Sequence, residues 1–338
     1  MSDLYVLTTE PPNLGMRLAN QDGRLVSQKE MYLRNNFFIP DVAPTSIDVV
    51  LPGRPARKLD AAELAQYRQH TIQTVLECAG NGRRLMDPVP SGAPWHLGAA
   101  SAIEIRGARL NEVLAPLPPD ISEVVFTGAD SGTVEPEGQI PYQFSLSRSL
   151  AESDAPLLVT HIGGEPLTRD HGAPVRLVVP GHYAMKSVKW LTRIEAVIEP
   201  FRGHFVAKYR YYEDSSVEDG APVGLIQVRS VISDPGDRDR LSPGMTTVRG
   251  SAWTGTGKID KVEVSLDDGA TWQEAALDGA EGDAAPVRWS YEAELKVGAR
   301  SIVARAIDST GTRQPMASRW NRNGYGNNVA HRVAITVD

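Results

Sequence analysis

A chain of 338 residues exceeds the comfortable size of one hydrophobic core, so two domains are the expected organisation. With 35 basic against 42 acidic side chains its net charge is −7, which argues against nucleic acid or an anionic membrane as the main partner. No apolar run approaches the ~18 residues of a spanning helix, and the single cysteine, Cys78, excludes an internal disulfide, a cysteine-ligated iron–sulfur cluster and a C-x-x-C-H haem attachment. The opening "MSDLYVLTTEPPNLGMRL" has no basic region followed by an apolar one and no twin arginine, so the cytosol is the expected compartment and the periplasm the alternative.

In chain order, "SIDVVL" (46–51) reads as a short strand, and "DAAELAQYRQHTIQTVLECAG" (60–80) as a helix. That helix would be capped by Asp60, would carry Leu64, Tyr67, Ile72, Val75 and Leu76 at helical spacing, and would end at Gly80 and Gly82. Further strands are expected at "EVVFTG" (123–128), "PLLVTHI" (156–162) and "VRLVVP" (175–180), and "EDSSVEDGAPVG" (213–224) reads as a linker. Beyond it, "TTVRGSAWTG", "IDKVEVSLDDGATWQEA", "RWSYEAELKVGARSIVARAIDSTG" and "HRVAITV" alternate short strands with tight turns, the spacing of an immunoglobulin-type β-sandwich. The expected fold class is α+β: a mixed α/β catalytic domain over residues 1–220, then an all-β immunoglobulin-like domain over 221–338 that serves association.

Chemistry concentrates at "TVLECAGNGRR" (74–84). A lone cysteine is most often a small buried hydrophobe. Here Gly80, Asn81, Gly82, Arg83 and Arg84 are poor core-builders, and two guanidiniums beside a thiol favour thiolate, which is a nucleophile or a soft metal ligand. A cysteine hydrolase or acyl transferase would need a general-base histidine, which seven histidines could supply without a local signature. A second cluster, "RDHGAPVRLVVPGHYAMKSVKWLTRI" (169–194), strings Arg169, His171, Arg176, His182, Lys186, Lys189 and Arg193 through loops, which suits a phosphorylated or otherwise anionic ligand. Neither a G-x-x-x-x-G-K-[ST] loop nor a strand-following G-x-G-x-x-G occurs.

The segments "YLRNNFFIP", "LECAGNGRR", "RDHGAPVRLVVPG", "KSVKWLTRI" and "WNRNGYGNNVAHRV" resemble, in the same order and at similar separations, the sulfite oxidase family of molybdenum enzymes. The resemblance implies a molybdenum–molybdopterin cofactor with Cys78 as the one protein ligand to the metal, and no haem. It implies cofactor contacts from Tyr32, Leu33, Arg34, Asn35 and Asn36, the last standing where histidine is common. Asp130, His171, Arg176, Ser187, Val188 and Lys189 match the other cofactor-binding positions. The substrate pocket it implies contains Arg34, Arg83, Trp95 and a tyrosine, Tyr209 with Tyr211 as the alternative. Asn323 occupies the position of a further family arginine, and Arg322 is the neighbouring candidate.

The activity so implied is oxidation of sulfite to sulfate, with electrons passed to an external acceptor such as a c-type cytochrome, in a homodimer. The alternatives are another oxyanion or sulfur substrate on the same scaffold, as in nitrate reduction or sulfane dehydrogenation, and a non-catalytic dimeric module.

Overall fold

The computed structural model describes residues 4–114, 116–212, 220–279 and 284–338. Strands dominate it, and among the described residues no α-helix exceeds five residues. The expected mixed α/β body is therefore mostly β.

The largest departure lies at 60–80. Asp60 does cap a helix, its Oδ1 accepting from Glu63 N at 2.7 Å, but that helix is only Ala61–Leu64. Gln69–Glu77 is a strand, paired antiparallel with Ala100–Arg109. Thr71, Ile72, Thr74 and Val75 lose rotamer freedom in a helix and pack well on a pleated surface, which favours the strand. Thr74, Val75, Leu76 and Glu77 are all buried, so the strand is covered on both faces there. Such a run lacks the polar–apolar alternation that marks a half-buried strand, and its apolar positions imitate helical spacing.

Two sheets build the first part of the molecule. In one, Gln69–Glu77, Ala100–Arg109, Leu157–Ile162 and Glu165–Pro166 lie side by side, and Arg176–Val178 also pairs with Leu157–Ile162. The other runs in the order Arg57–Leu59, Ile47–Val50, Leu191–Val197, Glu123–Val134, Gly138–Ser147, with one parallel pairing, Ile47–Val50 against Leu191–Val197. The four expected strand stretches all contain strands. Residues 213–219 of the expected linker lie outside the described residues, while Ala221–Pro222 pairs with Arg210–Tyr211.

From Arg229 onward the elements of the described residues are all strands. A four-stranded sheet orders Arg229–Asp234, Gly244–Trp253, Val287–Leu295 and Ala276–Asp278; a five-stranded one orders Arg240–Leu241, His331–Val337, Gly298–Asp308, Ile259–Ser265 and Gln273–Glu274. Both contribute to one core containing Ile232, Val248, Trp289, Ile302, Val333 and Ile335. Val231, Trp253 and Tyr325 instead join the core of the first part, so the two parts share buried contacts.

Candidate functional site

Cys78 is the first residue after the Gln69–Glu77 strand. Its N–H donates to Ala99 O at 2.9 Å and its carbonyl accepts from Asn81 N at 2.9 Å, which bends the chain at once. Gly82 completes the reversal with φ +80°, a left-handed conformation that favours glycine. The half-buried Cys78 side chain faces a partly open cavity.

Six chain segments converge on that cavity, from Met31–Asn36 to Tyr209. Leu33 bridges to Leu14 through a reciprocal pair of backbone hydrogen bonds, which fixes the segment Met31–Asn36 along one wall. Arg34 donates to Asn36 Oδ1 at 2.9 Å and to Asn13 Oδ1 at 3.3 Å. Asn35 accepts from Lys189 Nζ through Oδ1, donates to Pro12 O at 2.7 Å, and is thereby locked. Asp130 sits where the Glu123–Val134 strand slips register between Thr127 and Ser131, an irregularity of the kind that re-aims a side chain.

The loops around Arg176–Val178 supply the basic wall. His171 Nε2 lies 2.8 Å from Gln28 O. A carbonyl only accepts, so Nε2 carries the proton and Nδ1 remains an acceptor. Burial, with the Lys189 and Arg176 charges adding to it, pushes the His171 pKa down to about 3, so the ring is neutral at pH 7. Arg176 donates to His171 O at 3.0 Å and Ser187 O at 3.3 Å, and Ser187 Oγ accepts from Val179 N at 3.0 Å. Burial raises the Asp130 pKa to about 6, with Lys189 opposing the shift, so its carboxylate is mostly ionised at pH 7.

Residues 39–205 match the family model described as the oxidoreductase molybdopterin binding domain, and residues 223–338 match the Mo-co oxidoreductase dimerisation domain. The chain is 34% identical over 332 residues to mitochondrial sulfite oxidase from Homo sapiens, an alignment covering 90% of this chain and 60% of that protein. It is 32% identical over 343 residues to sulfite oxidase from Arabidopsis thaliana, covering 90% of this chain and 86% of that one. The chain belongs to the sulfite oxidase family. It spans about 60% of the length of its mitochondrial relatives. Its fold is similar to that of the sulfane dehydrogenase SoxCD from Paracoccus pantotrophus, with TM-score 0.85 over 98% of this chain and 88% of that one, at 21% identity.

A family cofactor fits the residues present. Two buried polar atoms of the cavity wall have no partner among the described residues: Asp130 Oδ1, an acceptor, and Arg176 Nε, a donor. Buried polar groups are normally satisfied, so this pair calls for a ligand that offers both N–H groups and an anionic oxygen. A pterin bearing a phosphate offers both. Among the described residues no group of three or more His, Cys, Asp or Glu side chains could hold a metal by itself.

Most residues expected at a sulfite oxidase site meet in this cavity. Tyr32, Leu33, Arg34, Asn35, Asn36, Cys78, Asp130, His171, Arg176, Ser187, Lys189 and Tyr209 all line it. Tyr211 does not; its ring packs where Gly326 leaves room. Val188 is fully buried, and its carbonyl is taken by Leu177 N at 2.8 Å. Trp95 is also fully buried, packed with Met31, Tyr32 and Leu76 behind the cavity wall.

The arginines divide. Arg83 is buried against Gly80, Gly92 and Gly324, donating Nε to Asn323 O at 2.9 Å and Nη1 to Ala93 O at 2.6 Å. Its guanidinium stacks 5.4 Å from the Tyr325 ring centre, and Tyr325 lies 5.2 Å from Tyr209. Arg322 stacks on Tyr212 at 4.2 Å and lines a neighbouring opening that shares only Asn36 with the main cavity.

The sequence reading missed Tyr142 and Met185, which line the cavity and are joined by Tyr142 Oη donating to Met185 O at 2.7 Å. The alternation of Tyr142, Phe144 and Leu146 in "PYQFSL" marks a core-facing strand and could have flagged Tyr142. Tyr325 had no such signal.

Proposed function

We propose that this chain oxidises sulfite to sulfate with a molybdenum–molybdopterin cofactor and passes the electrons to an external acceptor, a c-type cytochrome. One observation carries the reading: the single thiol, Arg34 and a donor set suited to a pterin phosphate open into the same cavity. The balance is one sulfite and one water giving sulfate, two protons and two electrons, taken up by two one-electron acceptors.

When bound, the cofactor supplies the redox change and the oxygen-atom transfer; the chain supplies everything around them. Cys78 would ligate the metal, since soft thiolates suit such centres. Arg176 and Lys189 would hold the phosphate through charge-assisted hydrogen bonds, and Asp130 would accept from the pterin. Neutral His171 offers Nδ1 as an acceptor without adding charge. Arg34 would orient the substrate oxyanion, its fork held by Asn13 and Asn36. Tyr209 reaches the same wall from the end of the His204–Lys208 helix.

Residues 1–220 form the catalytic domain in this reading, and residues 221–338 an immunoglobulin-like sandwich that pairs two copies. Support comes from two sheets closing on one core and from the match to a dimerisation domain. Metal analysis and sulfite-dependent reduction of cytochrome c test the proposal together. Close to one molybdenum per chain with turnover is expected, and Cys78→Ala should abolish turnover. A molybdenum-loaded protein inert to sulfite but reducing nitrate with a viologen donor would overturn the substrate.

A further inference from the structure

The C-terminal module does not deliver a cation to the cavity from position 323. Asn323 is uncharged, its Nδ2 lies 3.5 Å from both Lys208 O and Arg210 O, and its own carbonyl is taken by Arg83. Arg322 is turned onto Tyr212. Lys208 shares the neighbouring opening with Arg322. It ends the His204–Lys208 helix immediately before Tyr209, and its ammonium lies 5.6 Å from the Phe205 ring centre. It lines the opening beside the main cavity together with Asn36, which borders both and accepts from Arg34.

Partial burial, then the charges of Arg34 and Arg83, hold the Lys208 ammonium below the ordinary lysine range. None of the three cations has a carboxylate partner among the described residues. Glu137, the acid in the same opening, is 3.0 Å from His204 Nδ1 and engaged there. Like charges gathered without a counter-ion repel one another, and an oxyanion placed among them removes the repulsion and adds attraction.

We propose that Lys208 is a substrate-binding residue, supplying from the opening that adjoins the cavity at Asn36 the positive charge that Asn323 does not, so that an oxyanion is held between Arg34 and Lys208. This rests on the reading of the cavity as an oxyanion site. Lysine rather than a forked arginine at this point gives a mobile point charge, which suits capture at an entrance better than fixed orientation.

The test compares wild type, Lys208→Ala, Lys208→Arg and Lys208→Ala/Asn323→Arg as molybdenum-loaded enzymes. The readouts are KM and kcat for sulfite, competitive inhibition by sulfate, and sulfate affinity by calorimetry. Losing one charge-assisted contact should raise KM and weaken sulfate about tenfold, with kcat within about twofold. Lys208→Arg should stay near wild type, and Asn323→Arg should recover part of the loss. Unchanged sulfate affinity in Lys208→Ala overturns the proposal, as does absence of sulfate binding by wild type. If wild type binds sulfate but does not oxidise sulfite, the proposed activity fails while the calorimetry still decides Lys208.

Discussion

Arg229 Nε lies 2.9 Å from Glu77 Oε1, with the two side chains 1% and 0% exposed, and Glu77 is the residue immediately before Cys78. The carboxylate is satisfied on both oxygens: Trp253 Nε1 donates to Oε2 at 2.7 Å and Asn81 Nδ2 to Oε1 at 3.0 Å. Arg229 also donates to Asn327 O, and Asn327 Nδ2 returns to Gly82 O at 2.7 Å. The turn that carries the thiol is thus clamped by residues from the C-terminal module. Its buried charges are tolerated because each faces the other and both carboxylate oxygens accept a hydrogen bond.

Removing one partner of that pair should be costly, because the other charge is then left buried and alone. Arg229→Met is expected to lower stability by about 3–5 kcal/mol, and the double substitution Glu77→Gln/Arg229→Met by clearly less. Urea unfolding of the cofactor-free chains measures both. Equal losses in the single and double variants would show that the charge pair is not the source.

How much of this was legible in the sequence depended on whether the signal was local. "LECAGNGRR" placed Cys78 at a chain reversal correctly, although it follows a strand rather than a helix, because glycine conformations are set within a few residues. The 60–80 stretch misled because burial on both faces of the Gln69–Glu77 strand comes from partners distant in sequence. Glu77 carries no local signal, since nothing near it announces Arg229, 152 positions later. Trp95 shows the same limit: the family resemblance implied a pocket wall, and tertiary packing puts it one layer behind.

Arg176 should matter to cofactor retention more than to folding. It is buried in the cavity wall, two of its nitrogens donate to carbonyls, and Nε has no partner among the described residues. A hydrogen bond to a charged group contributes about 1.5–3 kcal/mol, so Arg176→Met should reduce molybdenum retained after dialysis by about tenfold or more. Thermal unfolding of the cofactor-free variant should be little changed, because a desolvated charge is removed with its contacts. Wild-type molybdenum content in the variant would take Arg176 out of the phosphate site.

Acid should weaken the fold through His331. Its Nδ1 accepts from Ile232 N at 2.9 Å, a bond that requires that nitrogen to be unprotonated. Burial, then the charges of His96 and Arg229, push its pKa from 6.5 down to about 3. The folded pKa lies below the unfolded one, so between those values the unfolded chain binds the extra proton. The stabilisation is fully present above pH 6.5 and is lost as pH falls toward 3. His171 acts in the same direction, and Asp130, with its pKa raised to about 6, acts in the opposite one. The contribution of His331 is therefore read as a difference between variants. Each fully titrating site gives a slope of about 1.4 kcal/mol per pH unit, so urea unfolding between pH 6 and pH 4 should show His331→Gln less acid-sensitive than wild type by about that slope. Equal slopes in the two proteins would mean that His331 takes up its proton in the folded state as readily as in the unfolded one.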